Sequence, residues 1–450
     1  MQSLKCKSKS DRIGHILLLG VLMSSLLWYS HVCPVYAQVP AFQPAVRNPD
    51  FIVEQFITNL SQPTSVAFVN DNSDDLTLLI LQKNDGTVRV ARNGVLDDRP
   101  ALDVHVANEG EQGMLGIAIS GNSSVYLYFT ESSRDGGEAI SKRVYQYFWN
   151  GQELVEPVLV KDLPATRAYH NGGAMVSDQD GTIYLLVGDT GRYGILQNKK
   201  GGELYPDTSV ILPVAPSGDY YAIGIRNGFG MAFDPVTDKI WITENGDDDF
   251  DEINLVERGF NSGWDVIMGP ATSDEQLSNL VDYGNYEYAD PKFSWQRTVA
   301  PAGMTFIDSG AMSMYRDSLF VGGCNNGILY KLTLNEQRDQ FVFSDPALAD
   351  NVANTNDSTD EIIFGERFGC ITDLNVGPDG LLYITTYSPF ISSAIYRLVP
   401  KITLPGVASI EIVDQITIYA ILAIAGTGMA GGIVLFRKLG RKKPSQNQAF

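Results

Sequence analysis

The chain has 450 residues, 44% of them hydrophobic and 19% charged, with a formal charge of −20. That composition excludes a disordered or low-complexity polypeptide, and the acidic balance excludes nucleic acid as a natural partner, because like charges repel. With the four basic and one acidic residues of 1–37 and the five basic residues of 437–450 set aside, the remainder holds 24 basic against 52 acidic side chains, a net −28.

At the start, Lys5, Lys7, Lys9 and Arg12 precede the apolar stretch Ile16 to Trp28, and Val35-Tyr36-Ala37 offers a cleavage site before Gln38. This order predicts a secretory signal peptide over 1–37, with an uncleaved anchor as the alternative, and a linker over 38–50. In an oxidising compartment, Cys324 and Cys370 of the remaining body are expected to form one disulfide.

From residue 51 a pattern recurs six times: a small or apolar run, a tight polar turn, then an apolar-aromatic strand. The copies begin at Thr64-Ser65-Val66-Ala67-Phe68, Gly113-Met114-Leu115-Gly116, Gly173-Ala174-Met175-Val176, Gly230-Met231-Ala232-Phe233, Ala302-Gly303-Met304-Thr305 and Leu374-Asn375-Val376-Gly377. Asp-Gly or Asp-Pro stands at several of the corners, as hairpin turns require. Six similar hairpins in one body predict an all-β, six-bladed propeller over 51–400; a β-sandwich would leave the repetition unexplained. The stretches 190–222 and 335–366 are expected as insertions on the loops. Asn59, Asn122 and Asn356 stand in glycosylation triplets.

After a stalk at 401–415, Ile416 to Phe436 carries no charge. At ~1.5 Å per residue it is long enough for the ~30 Å hydrocarbon core. The basic tail 437–450 then predicts a single-pass membrane protein, with the propeller outside the cytoplasm and the C-terminus inside. Gly428 and Gly432 are spaced for close helix approach, which leaves an oligomer open.

The body keeps two histidines. His105 alternates with apolar residues and is expected in a strand; His170, in His170-Asn171-Gly172-Gly173, stands at a mouth where it is either a general base or a satisfied loop residue. Equivalent positions of other copies hold Glu111-Gln112-Gly113 and Arg226-Asn227-Gly228, so Gln112, His170, Arg226 and Asn227 are expected to converge on one pocket at the axis. Arg226 is suited to clamping a carboxylate or stabilising an oxyanion. The loop Glu244 to Glu252 holds six acids in nine residues. Oxygen ligands crowded there suit calcium, with Glu252 among them; the alternative is a solvated acidic loop.

Six segments in order carry a family resemblance: EQGMLGIAI at 111–119, HNGG at 170–173, GIRNGFGMAFDP at 224–235, TENGDDDFDEINLV at 243–256, TVAPAGM at 298–304 and VGPDGLLYI at 376–384. The chain resembles the glucose/sorbosone dehydrogenase family over roughly residues 55–400. The resemblance implies a quinoprotein that oxidises the anomeric hydroxyl of an aldose to a lactone, using pyrroloquinoline quinone (PQQ) above a calcium ion and an unidentified electron acceptor. It implies that His170 takes the hydroxyl proton and that Gln112, Arg226 and Asn227 face the quinone. The backbone carbonyls of Gly246 and Asp247 would hold the calcium. It also exposes departures. The position expected to hold a cofactor-binding lysine is Asn325, and the two expected arginines are Cys370 and Thr372. The acid expected before the histidine is Tyr169. A redox-inactive propeller that binds a glycan or a protein is the principal alternative, and a hydrolase or lactonase a third.

Overall fold

A computed structural model describes residues 43–401, apart from 70–74, 122, 166, 192–193, 202–205, 309 and 389–392. All belong to the unit Phe42–Phe450. The signal peptide, most of the stalk, the segment 416–436, the basic tail and Asn122 lie outside the described residues. Among those described, no helix is long and apolar enough to cross a membrane.

The fold is an all-β propeller whose described strands fall into six sheets of four to six strands. The innermost strands are Pro63–Phe68, Met114–Ser120, Met175–Ser177, Met231–Phe233, Pro301–Phe306 and Cys370–Val376. Each packs against the next, and the sixth packs against the first. The six hairpin copies in the sequence therefore open the six sheets. Where neighbouring inner strands approach, a side chain would collide: a Cβ at Gly116 would stand 2.1 Å from the Gly173 carbonyl, and one at Gly230 would stand 2.0 Å from that of Ala302. Glycine recurs in these copies because backbone passes backbone there.

Second strands are buried on both faces, so they read as unbroken apolar runs. Leu78, Leu79, Ile80 and Leu81 have no exposed surface. Six apolar clusters fill the spaces between sheets, each joining one sheet to its neighbour. The cluster of Leu78, Ile80, Tyr383 and Ile395 joins the sixth sheet to the first. Closure is completed by hydrogen bonds: the N-terminal strand Phe51–Leu60 is the outer strand of the last sheet, pairing with Ser393–Pro400 from Phe51↔Pro400 onward.

Four expectations are corrected. Residues 38–50 are not all linker, because Ala45–Val46 pairs with Gly365 and Glu366 at the rim of the fifth sheet. Nor is 190–222 simply an insertion: it contains Val210–Ala215 and the first residue of Ala222–Ile223, the third and fourth strands of the third sheet. Pro213 and the polar residues before the strand mask its pattern. Likewise Ile363–Glu366, within the supposed insertion 335–366, pairs with Leu329–Thr333. His105 is exposed, bonded to Asp135 at 3.1 Å, and stands just past the short strand Leu102–Asp103.

Candidate active site

In each hairpin the start of the inner strand lies beside the end of the second strand. The loops at this end of all six sheets therefore meet around the axis. They enclose a cavity of about 420 Å³ whose walls include Gln62, Lys83, Glu111, Asn245, Thr372 and the Cys324–Cys370 disulfide. A larger cavity of about 670 Å³ opens at the other end, between Phe68, Phe233 and Phe306, away from the histidine and arginine loops.

His170 has a left-handed backbone, φ 57°, and its Nδ1 lies 2.6 Å from Asp189 Oδ1. Asp189 follows the second strand Ile183–Val187 of the same sheet and is fully buried. It accepts a second hydrogen bond from the Gly191 amide (2.8 Å), and its other oxygen accepts from Trp264 Nε1 (2.7 Å). A carboxylate held by these donors can only accept from the ring. Nδ1 therefore carries a proton, and in the neutral ring this leaves the lone pair on Nε2, the tautomer a general base needs. Tyr169, beside it, is exposed.

Arg226 is almost wholly buried. It donates from Nη1 to the Asn245 carbonyl (2.8 Å) and from Nη2 to Asp247 Oδ1 (2.9 Å), and lies 5.2 Å above the Trp264 ring. Trp264 thus ties the arginine to the histidine's partner. Asn227 donates to both oxygens of Glu111 (3.3 and 3.2 Å) and accepts from the Gly172 amide (3.3 Å). Glu111 also takes the Asn171 amide at 3.1 Å. One carboxylate in this way fixes the loops of the second, third and fourth sheets to one another. Neither His170, Arg226 nor Asn227 is itself a wall of the 420 Å³ cavity. They stand just behind it: Asn227 through Glu111 and Gly172, Arg226 through Asn245, and His170 two residues from Gly172.

The acidic loop divides into two kinds of residue. Asp247, Asp248 and Asp249 are exposed, whereas Glu244, Asp251 and Glu252 are buried. Asp251 accepts from the amides of Gly246 (2.8 Å), Val299 (2.5 Å) and Ala300 (2.7 Å), fastening the loop to the fifth sheet. Glu244 accepts from the Arg226 amide (2.7 Å) and Ser262 Oγ (2.5 Å), and Asn254 Nδ2 reaches both Glu244 and Glu252. Burial pushes Glu244 up to about 7 and Glu252 well above the usual carboxylate range. Glu252 also accepts from the Gly269 amide (2.6 Å), so both of its oxygens are engaged within the protein. Among the described residues, no cluster of three or more His, Cys, Asp or Glu side chains is placed to hold a metal ion.

The Glucose / Sorbosone dehydrogenase family model matches residues 60–389. The chain belongs to this family. It is 24% identical to an aldose sugar dehydrogenase of Escherichia coli over 388 residues, covering 81% of this chain and 93% of the relative. It is 23% identical to quinoprotein glucose dehydrogenase B of Acinetobacter calcoaceticus over 348 residues, 67% of this chain and 68% of that one. The PQQ-bound aldose sugar dehydrogenase of Streptomyces coelicolor shares the fold, with a TM-score of 0.58 and 21% identity over 79% of this chain and 99% of that chain.

The positions at which this family member departs from the expected pattern are now located. Asn325 is exposed and is not a cavity wall. Thr372 is a wall, but its hydroxyl is bonded to the Pro63 carbonyl (3.0 Å). Cys324 and Cys370 are disulfide-bonded, Cα to Cα 3.7 Å, linking the fifth sheet to the sixth. Gln112 is buried away from the cavity, and its neighbour Glu111 lines it instead. Asp189 and Trp264 escaped the sequence reading. The available signal was the glycine-flanked Gly188-Asp189-Thr190-Gly191 directly after a second strand, the position where mouth residues collect.

Proposed function

We propose that the chain is an aldose sugar dehydrogenase of the quinoprotein type, its six sheets being the six blades of the family propeller. The observation that carries the reading is the His170–Asp189 contact of 2.6 Å with Asp189 fixed by Trp264. It supplies an oriented base beside a pocket of small-molecule size. His170 Nε2 takes the proton of the sugar's anomeric hydroxyl. Arg226, held against Asn245 and Trp264, offers positive charge where negative charge develops.

The residues fit a bound quinone at its reacting end. Asn245, on the cavity wall, has its Oδ1 buried without a hydrogen bond to the protein, and that oxygen can accept one from a polar ring substituent. PQQ, when bound, supplies the acceptor for the hydride from the sugar carbon. Lys83 is the one cation among the described residues lining the cavity. Its ammonium donates to the Gly110 carbonyl (2.8 Å) and Asn84 Oδ1 (3.0 Å), and we assign it to a cofactor carboxylate. The carbonyls of Gly246 and Asp247 would hold calcium. The propeller is exported and tethered through 416–436, so protease applied outside intact cells should release a body ending near residues 401–415; protection of the body would contradict this.

The second reading, a redox-inactive propeller that binds a glycan or a protein, is favoured by the disulfide and the bonded Thr372 hydroxyl in place of cations. The test is a dye-linked assay of the full chain with a panel of aldoses, with and without PQQ and calcium, alongside calorimetry with PQQ. The dehydrogenase reading expects one lactone formed per two electrons delivered, dependent on PQQ. No turnover of any aldose and no PQQ binding would move the assignment to the second reading.

A further inference from the structure

Lys142 lies on Ala139–Trp149, the third strand from the axis in the second sheet. It pairs across the sheet with Thr130 and Leu163, and all three are buried. Its neighbour Arg143 turns outward to Glu131 and Asp162. Lys142 turns inward, has no exposed surface, and its ammonium makes no hydrogen bond to the protein. An ammonium in that position is costly unless other charges compensate it. Its cross-strand partner Thr130 donates its amide to the Gly113 carbonyl (3.0 Å), two residues from Glu111, which sets the Lys142 strand beside the Glu111 loop; Glu111 and Asp189 are the carboxylates whose charge opposes the effect of burial on it. These are the two carboxylates that organise the site, one holding Asn227 and the Asn171 amide, the other holding His170.

We propose that Lys142 is a positioning residue of the site: its buried ammonium is the shared counter-charge of Glu111 and Asp189, holding both as carboxylates and, through them, the His170 ring and the Asn227 contact. The catalytic part of this inference rests on the dehydrogenase reading; the electrostatic part does not. Burial lowers Lys142 to about 7 against the opposing pull of the two carboxylates. Its charge is therefore complete in mild acid and is lost as pH rises through neutrality. A lysine that merely filled space would affect stability, but neither the histidine tautomer nor the pH profile.

The test uses the full chain as wild type, Lys142→Met and Lys142→Arg. Side-chain ¹⁵N spectra report His170, with exposed His105 as internal control. The wild type and Lys142→Arg should show His170 protonated at Nδ1, and Lys142→Met should lose that pattern. In the dye-linked assay, Lys142→Met should lower kcat by about tenfold and move the acid limb of kcat/KM to higher pH by roughly half a unit or more. The sign follows because a carboxylate without its cation takes up a proton sooner. A wild-type His170 pattern and acid limb in Lys142→Met would overturn the proposal. Should that variant not fold, the ¹³Cε resonance of Lys142, assigned by its loss in Lys142→Arg, is titrated in wild type and Glu111→Gln. Its midpoint must fall when the anion is removed, and an unchanged midpoint overturns the proposal. Lack of wild-type turnover would sink the dehydrogenase reading, while the two spectra still decide the role of Lys142.

Discussion

Around the mouth, the loops of the second, third and fourth sheets meet through charge, whereas those of the fifth, sixth and first meet through a covalent bond and neutral polar groups. On the charged side, Glu111 binds Asn171 and Asn227, Asp189 binds His170 and Trp264, and Arg226 reaches Asn245 and Asp247. On the other side, Cys324 joins Cys370, Thr372 donates to Pro63, and Gln62 approaches Tyr387. The difference teaches how one end of a site can keep the groups that move protons while the other exchanges ionic contacts for a cross-link. A disulfide holds two loops together without drawing on a ligand's charge. On the proposed reading the ligand's charge is met elsewhere, and Lys83, which lines the cavity on the boundary between the two sides, is the group we assign to it.

The comparison can be broken or sharpened by substitution. The largest effect is expected on the covalent side. Replacing Cys324 and Cys370 by serine opens a loop with a sequence separation of 46, and the chain-entropy relation assigns such a loop roughly 4 kcal/mol of stability. Denaturant unfolding should show that loss, while PQQ affinity stays within a few fold. Unchanged stability would mean that the neutral half is held by its sheets alone. Next, on the charged side, Asp189→Asn keeps the shape but removes the anion that fixes the His170 tautomer. Turnover should fall by roughly 10- to 100-fold with little change in Tm. A fall in stability without a fall in turnover would make Asp189 a purely structural group. Smaller again, Lys83→Met should weaken PQQ binding by about tenfold in calorimetry, the effect of one partly exposed charge pair, and should flatten its salt dependence. An unchanged dissociation constant would remove Lys83 from the cofactor site.

The propeller was legible because its signal is repeated. Leu78 to Leu81 and Ile183 to Val187 are each buried between two sheets, so hydrophobicity alone marks them. The strand Val210–Ala215 was hidden by its proline and by a preceding polar stretch. Site residues were legible where a glycine forces a tight turn, as at His170-Asn171-Gly172-Gly173 and Arg226-Asn227-Gly228. They were illegible where the role depends on which of two neighbours turns inward: Glu111 lines the cavity and Gln112 does not. Nor does a count of acids in Glu244 to Glu252 reveal that Asp251 caps backbone amides while Asp248 faces solvent. Lys142 comes from the third strand of the sheet that Glu111 opens and Asp189 from the loop after the second strand of the next sheet, so only strand pairing and the packing of neighbouring sheets bring them to one site.

The central claim is that His170 is the base for aldose oxidation, and it is met most directly by one comparison. His170→Ala and His105→Ala are assayed beside the wild type as full chains, with aldose, PQQ, calcium and an artificial electron acceptor. The account predicts that His170→Ala loses ~10²-fold or more in turnover with the fold intact, while His105→Ala, at an exposed site paired with Asp135, turns over like the wild type. Undiminished turnover in His170→Ala would contradict it.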